Sequence, residues 1–194
     1  MDNLKKLTDD QLVELYVQSN NEAFDELLAR YKDKLYSYIF FNVHNEDMAN
    51  DLFQETFVRA IITIQQGRYT AAGKFQAWIT RIARNQIIDQ FRLNKSENTI
   101  SNDDCEGDIF NDVRISVQPV ENQMLTEQML EEACQLMDEL PMNQREVVYM
   151  RFFQGLSFKE IAETTGVSIN TALGRMRYAI LNMRKMADER CIAL

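Results

Sequence analysis

Apolar residues return every three or four positions along most of this chain, the pattern of helices that bury one face. Phe24, Leu27, Leu28, Tyr31, Leu35, Tyr38 and Ile39 make one such stripe. The pattern fails over one long stretch, from Asn94 to about Gln123, where acidic, Asn- and Ser-containing sequence with Gly107 and Pro119 takes over. Sequence of that kind buries too little apolar surface to order itself and reads as a flexible linker. Glycine and proline number only 6 and 2 in 194 residues, too few for the turns of a β-rich fold. The expected class is all-α, with two small helical domains. A helical bundle over residues 1–93 and a helix-turn-helix domain over 124–194 are joined by the acidic linker 94–123.

Within the first domain a short helix from about Thr8 to Ser19 precedes the long stripe, with Thr8 as N-cap. A third runs from about Glu46 to Gln65, with Ala49, Phe53, Phe57, Ala60, Ile61 and Ile64 inward. The stretch from Gln66 to Gly73 holds both glycines of this half and breaks the period, so it is a loop. A fourth helix buries Phe75, Trp78, Ile79, Ile82, Ala83, Ile87 and Phe91. Trp78 lies on that apolar stripe and so reads as core. In the second domain Met129, Leu130, Ala133, Leu136, Met137 and Leu140 form a stripe that ends at Pro141. Asn143 is then placed as an N-cap with Glu146 completing a capping box, Val147, Met150 and Phe153 face inward, and Gly155 ends the helix.

The formal net charge of −9 does not suit a chain that grips nucleic acid unaided. Its distribution is more informative than its sum. Between positions 59 and 92 stand Arg59, Arg68, Lys74, Arg81, Arg84 and Arg92 against a single acid, Asp89. Between 94 and 123 the balance reverses, with Glu97, Asp103, Asp104, Glu106, Asp108, Asp112 and Glu121 against Lys95 and Arg114. An acidic chain with one strongly basic segment fits a protein carried to DNA by a larger partner. Cys105, Cys134 and Cys191 are widely spaced and have only His44 to help them, which argues against a disulfide framework and against a zinc site. No apolar run approaches the roughly 20 residues that cross a bilayer. The N-terminus has no apolar signal core, so cytoplasmic residence without membrane insertion is expected.

The sharpest local pattern lies near the C-terminus. Ser157-Phe158-Lys159-Glu160 is a capping box that opens a short helix through Ile161 and Ala162. Gly166 suits the left-handed turn between two helices, and Ser168 caps the second. That helix is expected to turn Ile169, Ala172, Leu173, Met176, Ala179, Ile180 and Met183 inward. Asn170, Thr171, Gly174, Arg175 and Tyr178 then share an outer stripe with Arg177 beside it. Small hydrogen-bonding side chains followed by arginines are what a recognition helix needs to approach base edges and phosphates. An ordinary helical hairpin with a solvated face is the alternative.

These residues resemble the C-terminal domain of extracytoplasmic-function (ECF) sigma factors. The matching segments are Leu156 to Ala162, Gly166-Val167-Ser168, Thr171 and Gly174 to Arg177, with the lead-in Leu140-Pro141 and Arg145-Glu146-Val147. The N-terminal half resembles the other sigma domain through Phe24, Arg30-Tyr31, Ala49 to Phe57, Phe75 to Ile79, Ile82 to Asn85, Asp89 and Arg92. The resemblance implies a transcription-initiation factor that binds core RNA polymerase at its β′ clamp and β flap and directs promoter recognition and opening. By that resemblance Asp51, Gln54, Glu55 and Phe57 dock on the clamp. Read from the residues alone, Asp51, Gln54 and Glu55 make an acidic, solvated helix face. The minus-ten element falls to Arg68, Tyr69, Lys74, Arg81, Arg84, Asn85 and Arg92, which offer charge for phosphates and a ring for stacking. Asp89 and Arg92, one turn apart, also read as a surface ion pair. The minus-thirty-five element falls to the helix carrying Ser168, Asn170, Thr171, Gly174, Arg175, Arg177 and Tyr178. Leu173 and Tyr178 stand where many relatives have basic or polar residues. The linker would thread toward the polymerase cleft, and an anti-sigma factor is a further implied partner.

A free-standing DNA-binding regulator would account for the helix-turn-helix but not for the second basic segment. A di-metal helical enzyme could use Asp51 and Glu55, but that design needs Glu-x-x-His pairs, and the one histidine is His44. There is also no P-loop, dinucleotide motif or nucleophile elbow. No catalytic residue, cofactor, metal or small-molecule substrate is therefore expected.

Overall fold

The stripe from Phe24 to Ile39 lies on a 23-residue helix, α2 (Asn21–Val43), in a computed structural model that describes residues 4–70, 73–98 and 132–190. Helices α1 (Asp9–Val17), α3 (Glu46–Gln65) and α4 (Phe75–Asn98) pack around it, and a 3-10 turn at Leu4–Lys6 leads in. Leu27 and Ile39 are fully buried, as are Leu12 from α1, Ala60 from α3 and Phe75 from α4. Each buried side chain of leucine size stabilises the bundle by about 1.5–3 kcal/mol.

Local chemistry sets where these helices begin and end. Thr8 Oγ1 accepts from the Gln11 amide at 3.4 Å while Gln11 Oε1 accepts from the Thr8 amide at 2.9 Å, closing a capping box at the start of α1. Asn45 caps α3 by accepting from the Met48 amide at 2.8 Å. Arg30 on α2 ties the chain start to the bundle. Its guanidinium donates to the carbonyls of Leu7 and Lys5 at 3.0 Å and to Asp9 Oδ1 at 3.0 Å, while Nε reaches Glu26 at 3.1 Å. Burial works against the charge of Arg30, but the bonds to Glu26 and Asp9 outweigh it and hold its pKa above the ordinary value. Helix α4 continues to Asn98, past residue 93 where the first domain is expected to end. The rest of the expected linker, from residue 99 onward, lies outside the described residues, as do Met129 and Leu130 of the next stripe.

The second unit consists of a helix over residues 132–138 (α5), α6 (Met142–Phe152), α7 (Phe158–Thr165) and α8 (Ile169–Glu189). Leu136, Val147, Met150, Ile161, Ala172 and Ala179 meet in its core. The expected cap at Asn143 is wrong. Pro141 is the N-cap, with φ −50°, and its carbonyl accepts from the amides of Gln144 and Arg145 at 2.8 and 3.0 Å. Proline's fixed φ starts the helix earlier and leaves Asn143 inside the first turn. Glu146 completes no box and is 2% exposed in the core beside Arg145 at 5%. Arg145 Nη1 donates to the Asp138 carbonyl at 3.1 Å. Burial pulls its pKa below the ordinary value, against the pull of the Asp138 and Glu146 carboxylates. Phe153 is 40% exposed rather than inward, its ring stacked on Tyr149.

The turn between α7 and α8 is as expected. Ser157 and Glu160 exchange bonds of 2.8 and 3.3 Å, Gly166 sits at φ +70°, and the Val167 amide returns to the Ala162 carbonyl at 3.1 Å. A Cβ on Gly166 would meet nothing within 4 Å, so the backbone angle alone demands glycine. Gly166→Ala should therefore cost about 1–2 kcal/mol, and Gly166→Asn less, as read by urea denaturation of the two variants beside the parent.

Candidate nucleic-acid interface

Helices α7 and α8 form the helix-turn-helix, and the first turn of α8 is held by its own cap. Ser168 Oγ accepts from the Thr171 amide at 3.0 Å and lies 2.8 Å from Thr171 Oγ1. Both hydroxyls remain exposed but are already engaged with each other. Asn170, Arg177 and Tyr178 are exposed, Tyr178 at 62%, and Gly174 and Arg175 are half-buried. Gly174 stands opposite the buried side of the helix, and a Cβ there would meet nothing within 4 Å.

The inward side of α8 is narrower than its apolar residues suggest. Ala172, Met176, Ala179 and Ala187 are buried, but Ile169, Leu173 and Ile180 are 45, 44 and 39% exposed. Alanines let α6 and α7 approach α8 closely, so the contact arc takes the small residues and leaves the branched ones on its flank. That flank carries Arg177 on its outer side. Leu181, 49% exposed, adds to the apolar surface, as Phe152 at 69% does on α6.

In the first unit the basic residues line α4 and the loop before it. Arg81, Asn85 and Arg92 are exposed, Arg84 is half-buried, and Lys74 is half-buried just before the helix. Arg92 lies 3.6 Å from Asp89 with both side chains largely in solvent, a surface pair of little energetic weight. Arg68 is exposed and donates to Gln66 within the loop. Tyr69 is placed differently from a free stacking ring. Its hydroxyl donates to Asp10 Oδ1 at 3.1 Å, and its ring packs edge-on to Trp78 at 4.9 Å and lies 6.0 Å from Phe75. Burial, with the bond to Asp10 added, pushes its phenol well above the usual tyrosine range. Trp78 is half-buried within this aromatic cluster, neither sealed in the core nor free.

Behind α4, a polar contact fixes its rotation against α3. Thr56 Oγ1 and the Gln86 carboxamide, both buried, lie 2.7 Å apart, and Thr56 Oγ1 also donates to the Leu52 carbonyl at 2.7 Å. With its amide nitrogen toward Thr56, Gln86 turns its oxygen to Arg59 Nε at 3.1 Å.

Residues 27–97 match the Sigma-70 region 2 family and residues 136–185 match Sigma-70, region 4. The chain is 33% identical over 146 residues to the ECF RNA polymerase sigma factor SigM of Bacillus subtilis, covering 75% of this chain and 83% of that one. It is 28% identical over 190 residues to the ECF RNA polymerase sigma-E factor of Haemophilus influenzae, covering 96% of both. The chain belongs to the ECF sigma factors. Its fold is also that of RpoE from Bartonella quintana, solved with the anti-sigma factor NepR, at TM-score 0.68 and 22% identity over 85% of this chain and 96% of that one. CnrH, solved with the cytosolic domain of CnrY, gives TM-score 0.67 and 22% identity over 93% of this chain and 97% of that one.

This sigma factor presents a further surface on α3. Asp51, Gln54 and Glu55 are exposed, as the sequence suggests, and Glu55 pairs with Arg59 through a bond of 2.9 Å to Nε. Phe57 does not join them. It is 6% exposed and packs edge-on to Phe24 and Phe53 at 6.1 and 5.0 Å, so it belongs to the bundle core. Val58 and Ile62, 53 and 43% exposed, are the apolar side chains on the outer side of α3. The inward stripe read from the sequence omits both, and their places one and two turns past Gln54 and Glu55 are the signal that could have added them to the outer face. Among the described residues no group of three acidic, histidine or cysteine side chains is placed to hold a metal ion, and no helix is long and apolar enough to cross a membrane.

Proposed function

We propose that this sigma factor divides promoter recognition between two surfaces and reaches DNA only on core RNA polymerase. The observation that carries this reading is the pairing, in one chain, of an exposed basic face on α4 with a helix-turn-helix on α8. The exposed α3 stripe docks on the β′ clamp, with Asp51, Gln54 and Glu55 as its acidic end and Val58 and Ile62 as its apolar heart. A contact of this make-up combines desolvated apolar area with a charged rim that steers encounter.

The loop with Arg68, followed by Lys74, Arg81, Arg84, Asn85 and Arg92, handles the minus-ten element. Cations there hold the backbone of the strand being separated, and opening exposes bases at a cost of a few kcal/mol per step. Tyr69 supports that loop from inside. Ser168, Asn170, Thr171, Gly174, Arg175, Arg177 and Tyr178 on α8 read the minus-thirty-five element in the major groove, where Leu173 adds an apolar contact suited to a thymine methyl. The exposed Phe152 and Phe153 suit an apolar contact with the β flap. An anti-sigma factor is the natural restraint on these surfaces in the resting cell, as NepR is the partner of RpoE in its solved complex.

Run-off transcription with core RNA polymerase of the same organism, on a library of genomic fragments, tests the whole reading. Discrete starts that appear only with the protein support it, and no new starts beside an active control sigma factor overturn it. Asp51→Arg combined with Glu55→Arg should weaken core binding by about tenfold or more, measured by fluorescence anisotropy; unchanged assembly would refute the clamp assignment. Arg175→Ala with Arg177→Ala should cost about 1–3 kcal/mol per lost base contact in upstream-element binding, with core binding intact. Gly174→Ala separates fold from recognition. It should stabilise α8 by about 0.5–1 kcal/mol while lowering upstream binding, because the methyl points where the duplex must approach.

A further inference from the structure

Helix α1 lies outside the residues matched to region 2, yet it holds the loop assigned above to the minus-ten element. The loop leaves α3 through Gly67, at φ +67°, with the amides of Gly67 and Arg68 returned to the carbonyls of Ile64 and Thr63 at 2.9 and 3.0 Å. Those bonds anchor it to α3 only as far as Arg68. At Tyr69 the anchor changes to α1, where Asp10 Oδ1 accepts the phenol proton across 59 positions of sequence at 3.1 Å. The neighbouring carboxylate, Asp9, is taken up by Arg30 and Tyr31, and the Tyr31 ring stands 5.3 Å from Phe75 at the start of α4. Of the two first-turn acids of α1, Asp10 therefore holds the loop directly, while Asp9 holds α2 and reaches the start of α4 only through the Tyr31 ring. A groove of about 460 Å³ runs beside this contact, bordered by Asp10, Glu14 and Gln18 on one side and by Gly67, Tyr69 and Thr70 on the other.

We propose that Asp10 is a positioning residue for promoter opening: its bond to Tyr69 sets the loop in the shape that presents Arg68 to the minus-ten strand. The proposal rests on the assignment of that loop to the minus-ten element. Acids in the first turn of a helix are common because the dipole favours them, and that alone would make Asp10 ordinary. The distinguishing feature is that a first-turn acid receives a proton donor from a loop far away in sequence, on a tyrosine whose ring is already fixed by Trp78.

The test uses holoenzyme on a promoter found by transcript-start mapping, with permanganate reactivity of minus-ten thymines as the measure of opening. Tyr69→Phe keeps the ring packing and removes only the donor. Asp10→Leu removes the acceptor, and Asp10→Asn keeps a carbonyl that can still accept. Asp10→Leu and Tyr69→Phe should each lower the opening equilibrium by about tenfold, the effect of one bond to a charged acceptor. Together they should lower it no further, with core binding unchanged and Asp10→Asn restoring most of the loss. Opening at the parent level in Tyr69→Phe, or effects that multiply in the double variant, would overturn the proposal. Arg68→Ala tells the two failures apart. If it lowers opening while Tyr69→Phe does not, only the Asp10 role falls; if neither does, the loop assignment falls with it.

Discussion

Leu27, Leu35, Tyr38 and Ile39 on α2 are 0 to 2% exposed, and no single neighbour can remove them all from water. Three helices have to close around α2, and that requirement sets the layout of the first unit. Each of α3 and α4 must turn one side to α2, which leaves the opposite side for something outside the bundle. The rotation of both is then fixed by the buried contact of Thr56 with Gln86, since a polar pair without water has to keep its partner. The acidic and apolar stripe of α3 and the basic face of α4 are consequences of this packing. In the function proposed above, the first of these faces meets polymerase and the second meets DNA.

The acidity of the chain is less of an obstacle to DNA binding than its sum suggests. Asp9, Asp10, Glu46 and Asp47 occupy first turns of helices, where the helix dipole favours negative charge. Asp9 is further neutralised by Arg30. Among the residues of α4 whose exposure is described, Arg81, Arg84 and Arg92 stand against Asp89, so the local field there is positive although the total is −9. Under the proposed function, such a patch would attract a strand that polymerase has already brought close, without the general affinity for duplex that a basic protein would have.

Local chemistry was legible wherever one residue decides it. Thr8, Ser157 and Ser168 cap the helices they were expected to cap, and Gly166 takes the left-handed turn. Asn143 misled because the competing signal, Pro141, starts the helix through its fixed φ and needs no side-chain bond. Errors of facing had a different origin. The helical period predicts Ile169, Leu173 and Ile180 inward, but the buried arc of α8 is taken by Ala172, Met176, Ala179 and Ala187, which leaves the branched side chains on its flank. Phe57 is inward as its spacing predicts, its ring completing the aromatic core with Phe24 and Phe53, although the resemblance names it among the docking residues.

Sequence alone determined the helical class, the sites of most helix ends, the basic and acidic segments, and the family, because periodicity, capping and motif spacing are local properties of the chain. Only the tertiary structure decided which side of each helix faces out, and which distant residues meet. Val58 and Ile62 are exposed because α2 occupies the other side of α3. Tyr69 turns inward because Asp10, 59 positions away in sequence, and Trp78 on the following helix converge on the same point. Burial and long-range hydrogen bonding depend on how helices pack against one another, and that information is spread over the whole chain rather than written at any one position.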